Sequence, residues 1–185
     1  MVATAANVVL LAWLGIEVWR IRQARRQGGA IEDAGTFARI WVFVALAFVL
    51  GDAAGAWAGP RWRLGPAAAD VGLALIVAGV AFRQYAIQVL GRHFSPRVRI
   101  DPHHQLVERG PYRWVRHPAY TGAWAALVGV GLLTRSVPAV LVYIVVAGVG
   151  FINRIHVEER VLRGHFGAEY DAYARRTWRL LPFVY

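Results

Sequence analysis

Five apolar stretches set the terms for this chain: Val2–Trp19, Ile40–Gly59, Val71–Leu90, Pro118–Thr134 and Val137–Asn153. A hydrocarbon core about 30 Å thick takes roughly 17–25 helical residues to cross. Inside it every backbone N–H and C=O needs a partner within the protein, so a stretch of this length crosses as a helix. The pattern predicts an all-α integral membrane protein with five transmembrane helices. No positive residue precedes the first stretch and several Arg follow it, the reverse of a cleaved signal peptide. Only Arg135-Ser136 separates the last two stretches. Pro138 suits the first turn of a helix, so these two are expected to form an antiparallel hairpin.

Composition narrows the function. The chain is 57% hydrophobic and 17% charged, which excludes disorder, since disordered chains are poor in apolar residues. It has no Cys, which removes disulfides, thiolate nucleophiles and Cys metal sites. All 21 basic residues are Arg, which removes Lys-based catalysis. The formal net charge of +10 first suggests an acidic partner, but its placement says otherwise. With loops alternating sides, segments 20–39, 91–117 and 154–185 carry 17 Arg; the opposite loops carry three, Arg61, Arg63 and Arg135. That is a positive-inside asymmetry. It puts the N-terminus outside and the 91–117 and 154–185 segments in the cytoplasm. The partner it implies is the lipid bilayer, not nucleic acid, whose binders carry basic charge on a soluble polar surface. The Lys-free, Cys-free chain reads as prokaryotic, with the inner membrane as its location.

Three charges fall inside the apolar stretches: Glu17, Asp52 and Arg83. Hydrocarbon rejects unpaired charge. Glu17 lies about two residues from the cytoplasmic end of the first helix and Arg83 about seven from that end of the third. At 1.5 Å per residue the offset is roughly 7 Å, within reach of an extended Arg. A Glu17–Arg83 contact is therefore expected, against the alternative that each side chain snorkels to its own interface.

Reactive groups concentrate in residues 91–120 and 154–185. Between Gly91 and Tyr120 lie His93, His103, His104 and His117, six Arg and two Tyr; His156 and His165 stand in the tail with Glu158, Glu159, Glu169 and Asp171. The hairpin rises from His117 and descends to Arg154, so both motif regions reach one membrane depth and a pocket between them is expected. No metal site is read: a His-Glu-x-x-His helix is missing, and adjacent His103 and His104 cannot share a helix face. His93, His103 and His165 read as interfacial hydrogen-bonders. Gly129, Gly131, Gly148 and Gly150 sit inside apolar stretches and suit close helix packing.

The run His104-Gln-Leu-Val107, then Gly110-Pro-Tyr-Arg-Trp-Val-Arg-His-Pro-Ala-Tyr120-Thr-Gly122, resembles the cofactor motif of the isoprenylcysteine carboxyl methyltransferase family. Arg154-Ile-His-Val-Glu-Glu159, Phe166-Gly-Ala-Glu-Tyr170 with Tyr173, and Leu181-Pro-Phe183 follow in that family's order and spacing. The resemblance covers about residues 91–185. It implies S-adenosyl-L-methionine held in a pocket of membrane helices and cytoplasmic segments. The cofactor-binding positions it implies are His104, Gln105, Leu106, Val107, Tyr112, His117, Pro118, Ala119, Tyr120 and Glu158. Arg154 falls on the position associated with the methyl-accepting substrate, and Arg154 and Glu158 are the implied catalytic pair. One position departs: Arg97 stands where the family's animal members carry Gln.

The residue types suit these roles. The cofactor carries a sulfonium, an ammonium, a carboxylate and hydroxyls, so it needs acceptors such as Glu158 and adaptable donors such as His117 and the Tyr hydroxyls. Methyl transfer is an in-line displacement that depends on alignment. A carboxylate acceptor is already ionised near neutrality, and Arg154 is suited to hold it through two hydrogen bonds. Four residues apart, Arg154 and Glu158 share one helix face. An amine or thiol acceptor would need deprotonation, by His156 or Glu159. Plainer roles compete: Arg154 as a snorkelling anchor, Glu158 as its i,i+4 partner, Tyr112, Trp114 and Tyr120 as interfacial aromatics. Phe166, Tyr170 and Tyr173 are expected to pack the tail on the membrane surface as an amphipathic helix.

The organisation expected is three N-terminal transmembrane helices over residues 1–90 and a methyltransferase-like region over 91–185. That region comprises the hairpin and a helical cytoplasmic tail, and the two parts make one structural unit. The function expected is methyl transfer to a lipophilic or prenylated acceptor. The alternatives are a nicotinamide-dependent membrane reductase and a non-catalytic lipid-binding protein.

Overall fold

A computed structural model describes residues 1–26, 35–95 and 106–184. The chain is helical wherever it is apolar. α1 (Val2–Arg26), α2 (Thr36–Trp57), α3 (Ala67–Leu90) and α4 (Pro118–Leu133) are followed by α5 (Val137–Val142), a π-helical turn (Tyr143–Ala147), α6 (Gly148–Phe166) and α7 (Ala168–Arg176). Among the described residues, four helical runs are long and apolar enough to cross a membrane: Val2–Gln23, Thr36–Trp57, Ala67–Leu90 and Val137–Phe166. α4 is apolar but has only 16 residues.

The two largest boundary differences from the sequence pattern share one reason. α1 runs on to Arg26, not Trp19, and the last long helix runs through α5, the π turn and α6 to Phe166, not Asn153. Hydropathy marks where apolar residues stop. Arg, Glu and Leu are good helix formers, so the backbone hydrogen bonding continues beyond that point. Gly167, at φ +53°, ends the run, and its N–H closes on the carbonyl of Arg163 at 2.9 Å.

The hairpin expected of the last two stretches is present. Ser136 caps α5 by accepting from the N–H of Ala139, and the contacts then climb in antiparallel order. Gly131 lies against Val140 and Tyr143, Trp124 against Gly148, and Tyr120 against Phe151. Trp124 Nε1 donates to the carbonyl of Ile144, in the π turn, at 3.0 Å. α2 lies along the same rod, with Gly51 under the Tyr143 ring and Gly150 under Phe43. α3 packs on α4 through Gly72 opposite Gly129 and Gly79 opposite Gly122. The Gly129, Gly131, Gly148 and Gly150 positions therefore serve close helix packing, as their sequence context suggests.

One core cluster runs through the bundle, from Ala6 and Ala47 through Ile76, Ala123 and Leu127 to Tyr143 and Phe151. A smaller one, formed by Ala86, Ile87, Tyr112 and Ala119, seals the end at which α4 begins. There the chain beyond α7 returns as a strap. Trp178 N–H donates to Trp114 O at 2.9 Å, Arg116 N–H to Trp178 O at 2.7 Å and His117 N–H to Arg179 O at 3.0 Å. Thr121 Oγ1 donates to Leu180 O at 2.7 Å. Thus the tail holds the turn that carries His117.

Candidate active site

A cavity of about 530 Å³ lies within the bundle, inside the range of small-molecule sites. Its wall carries a polar end where His117, Tyr120, Glu158 and Arg154 meet, with Tyr112 and Tyr170 also in the wall, and much of the rest is apolar, including Leu10, Leu14, Trp41 and Phe48 of α1 and α2. Of the residues singled out in the sequence, Leu106, Val107, Tyr112, His117, Ala119, Tyr120, Arg154 and Glu158 all line it. Pro118 is fully buried behind the wall. His104, Gln105, Arg97 and His103 lie outside the described residues. His93 lines the cavity too.

Tyr120 is the hinge of the polar end. Its hydroxyl donates to Glu158 Oε2 at 2.8 Å and accepts from Arg154 Nε at 3.3 Å. Arg154 and Glu158 do share one face, with the Tyr120 oxygen set between them. Arg154 is 2% exposed and also donates through Nη1 to Thr36 Oγ1, at the start of α2. The Tyr120 ring lies 27° from the plane of His117, with centroids 5.8 Å apart. His117 Nε2 and Tyr170 OH are buried and make no hydrogen bond among the described residues.

The adjacent glutamates divide. Consecutive helical residues point about 100° apart, so Glu158 faces the cavity while Glu159 faces the strap. Glu159 is fully buried. It accepts from Arg116 Nε at 2.9 Å, Arg179 Nε at 3.2 Å and Arg163 Nη2 at 3.4 Å, and lies 3.5 Å from His117 Nε2. Arg116 continues to the carbonyls of Ala174 and Thr177. Glu159 does not line the cavity, and neither does His156, which is exposed. The sequence reading offered these two as bases for an amine or thiol acceptor; neither lines this cavity.

The tail reading is corrected. Tyr170 and Tyr173 are 1% and 3% exposed and line the cavity, where a membrane-surface packing was expected. Tyr173 OH donates to the carbonyl of Tyr112 at 2.8 Å. Burial pushes the phenols of Tyr112, Tyr170 and Tyr173 well above the usual range, so all three stay neutral donors at physiological pH. Phe166-Gly-Ala-Glu-Tyr170 placed these rings in the sequence, but not the strap that folds them inward. The Glu17–Arg83 contact is present at 2.9 Å and 3.0 Å, and both side chains line the cavity. Among the described residues no group of three or more His, Asp or Glu could hold a metal ion.

A model of the isoprenylcysteine carboxyl methyltransferase (ICMT) family matches residues 72–164, which span α3 to α6 and hold the polar end of this cavity. The chain belongs to the isoprenylcysteine carboxyl methyltransferase family. It is 34% identical over 116 residues to the probable protein-S-isoprenylcysteine O-methyltransferase of Oryza sativa subsp. indica, covering 62% of this chain and 61% of that one. The protein-S-isoprenylcysteine O-methyltransferase of Saccharomyces cerevisiae is also 34% identical over 116 residues, covering 62% and 48%. The chain thus spans about three fifths or less of the length of these relatives. The solved structure of the eukaryotic intramembrane Ras methyltransferase ICMT superposes with a TM-score of 0.62 at 24% identity, covering 77% of this chain and 52% of that one. That likeness establishes the ICMT membrane fold. α1 and α2, which supply Glu17 and much of the cavity's apolar lining, lie outside the family-matched segment.

Proposed function

We propose that this ICMT-family chain is an integral-membrane methyltransferase that uses S-adenosyl-L-methionine to methylate a lipophilic acceptor. The relatives' names point to a prenylated cysteine carboxylate as the acceptor class. The observation that carries the reading is that one cavity joins the polar groups of the family motif to an extensive apolar lining drawn from α1 and α2. In this reading α4 is the fourth of five spans, the N-terminus is outside, and the pole carrying His117 and Glu158 faces the cytoplasm, as the Arg distribution favours.

The donor set fits the cofactor. Glu158 offers a carboxylate for an ammonium or hydroxyls, and one buried polar atom of a wall residue, Tyr170 OH, lacks a hydrogen bond among the described residues. Leu106, Val107 and Ala119 add apolar wall. When bound, S-adenosyl-L-methionine supplies an electrophilic methyl group on a sulfonium. The chain's own work is then alignment and exclusion of water. Arg154 holds an acceptor carboxylate, Tyr120 spaces it from Glu158, and the strap keeps the pole closed. A carboxylate is ionised at neutral pH, so no base is required, consistent with a cavity wall that includes neither Glu159 nor His156.

Calorimetry on detergent-solubilised protein tests this. S-adenosylhomocysteine is expected to bind the parent, and to bind Glu158→Ala and His117→Ala about 10–100-fold more weakly, the cost of a hydrogen bond to a charged group. Arg154→Gln is expected to keep that affinity while losing transfer of labelled methyl into membrane lipid extracts. A parent that binds a nicotinamide cofactor and not S-adenosylhomocysteine would overturn the reading.

A further inference from the structure

Buried charge inside membrane helices is costly, and a buried ion pair is weak evidence for stability, since apolar replacements of similar volume are often as stable. Glu17 and Arg83 need another explanation. Their side chains are 9% and 12% exposed, on α1 and α3. Arg83 uses its planar fork in full: Nε and Nη2 donate to the two Glu17 oxygens, and Nη1 donates to the carbonyl of Ala119 at 3.1 Å. Glu17 is fixed in turn by Trp13 Nε1 at 3.1 Å and Arg20 Nη1 at 3.4 Å.

Ala119 lies in the first turn of α4, between His117 and Tyr120. Arg83 reaches it because residue 122 is glycine: a Cβ there would stand 2.7 Å from the Arg83 backbone nitrogen and 3.0 Å from its Cβ. The chain of contacts runs from α1 through α3 into the turn that carries both polar-pole residues. We propose that Glu17 and Arg83 are positioning residues for that turn. They set the placement of His117 and Tyr120 from helix α1, which lies outside the family-matched segment. The pair reaches the turn through the carbonyl of Ala119. The functional part of this inference rests on the cofactor reading above; the structural part does not.

Three variants separate positioning from simple structural support. Arg83→Lys keeps a cation for Glu17 but has no fork with which to reach Ala119 at the same time. The double variant Glu17→Leu/Arg83→Met removes the charges together and is expected to retain the parent's Tm. Glu17→Gln weakens the anchor of the fork. In all three, backbone amides of residues 119–123 are expected to lose hydrogen-exchange protection. S-adenosylhomocysteine is expected to bind about tenfold or more weakly, the cost of about one displaced hydrogen bond. If the pair were structural support alone, the double variant would restore protection and affinity together with Tm, and that result would overturn the proposal. Parent-like exchange and affinity in Arg83→Lys would also overturn it. A parent that binds no S-adenosylhomocysteine removes the cofactor reading, while the exchange measurement still decides the positioning.

Discussion

Replacing Glu159 with alanine is expected to cost about 3–5 kcal/mol of stability, the usual penalty for stripping one partner from a buried ion pair, and to free the C-terminal strap. The carboxylate is fully buried among Arg116, Arg179, Arg163 and His117. Arg116 is itself 8% exposed, so its cation would remain in a low-dielectric site with no carboxylate beside it, held by the carbonyls of Ala174 and Thr177 and the Thr177 hydroxyl. Those carbonyls belong to α7 and the strap, so the loss propagates to Trp178–Leu180 and to the His117 turn they hold. Trypsin cleavage after Arg176 and Arg179 should accelerate, and Tm in detergent should fall. Arg163→Ala supplies the contrast. That side chain is 43% exposed, and exposed pairs contribute about 0.2–1 kcal/mol, so its Tm should stay near the parent's. Equal Tm and equal cleavage in Glu159→Ala and Arg163→Ala would refute the hub.

This hub marks where sequence legibility ended. The apolar stretches were legible because membrane crossing imposes length and hydropathy together. Glu17–Arg83 was legible because a charge in hydrocarbon needs a partner at its own depth. The pocket between the two motif regions followed from the hairpin. Which glutamate of the pair faces the cavity did not follow. It depends on how α6 is rotated about its axis, and the π turn at Tyr143–Ala147 inserts extra backbone that resets that rotation. The strap was illegible for a different reason. Val115 pairs with Trp178 across more than sixty residues through one isolated bridge, and a single bridge leaves no periodic trace. Tyr170 and Tyr173 were ambiguous by chemistry, since an amphipathic ring suits an interface as well as a cavity wall. The apolar lining of the cavity comes from α1, which packs on α3, and from α2, which packs on α5 and α6, and hydropathy reports that a helix is apolar without saying which face meets a ligand.

Gly122→Val is expected to yield no monodisperse folded protein, and Gly122→Ala to lower Tm by an amount corresponding to about 1–3 kcal/mol, the range for overpacking a close contact. A Cβ at Gly122 would lie 2.5 Å from the carbonyl oxygen of Gly79; one at Gly79 would lie 2.6 Å from that of Gly122. Both obstacles are backbone, so relief requires α3 and α4 to move apart. Seven residues away the same arrangement recurs at Gly72 and Gly129, with separations of 2.7 Å and 2.6 Å, which ties the helices at two points and makes the shift costly. Between helices in lipid the attraction comes from close packing and not from the hydrophobic effect, so little else compensates once the backbones separate. The shift also draws Ala119 away from Arg83, so Gly122→Ala should weaken S-adenosylhomocysteine binding beyond what its Tm implies. Gly164 is the matched control: nothing lies within 4 Å of a Cβ there. Near the end of α6 alanine should leave Tm unchanged or raise it slightly, since glycine is the poorer helix former by about 1 kcal/mol. If Gly122→Ala and Gly164→Ala behave alike, α3 and α4 do not approach as closely as the paired glycines require.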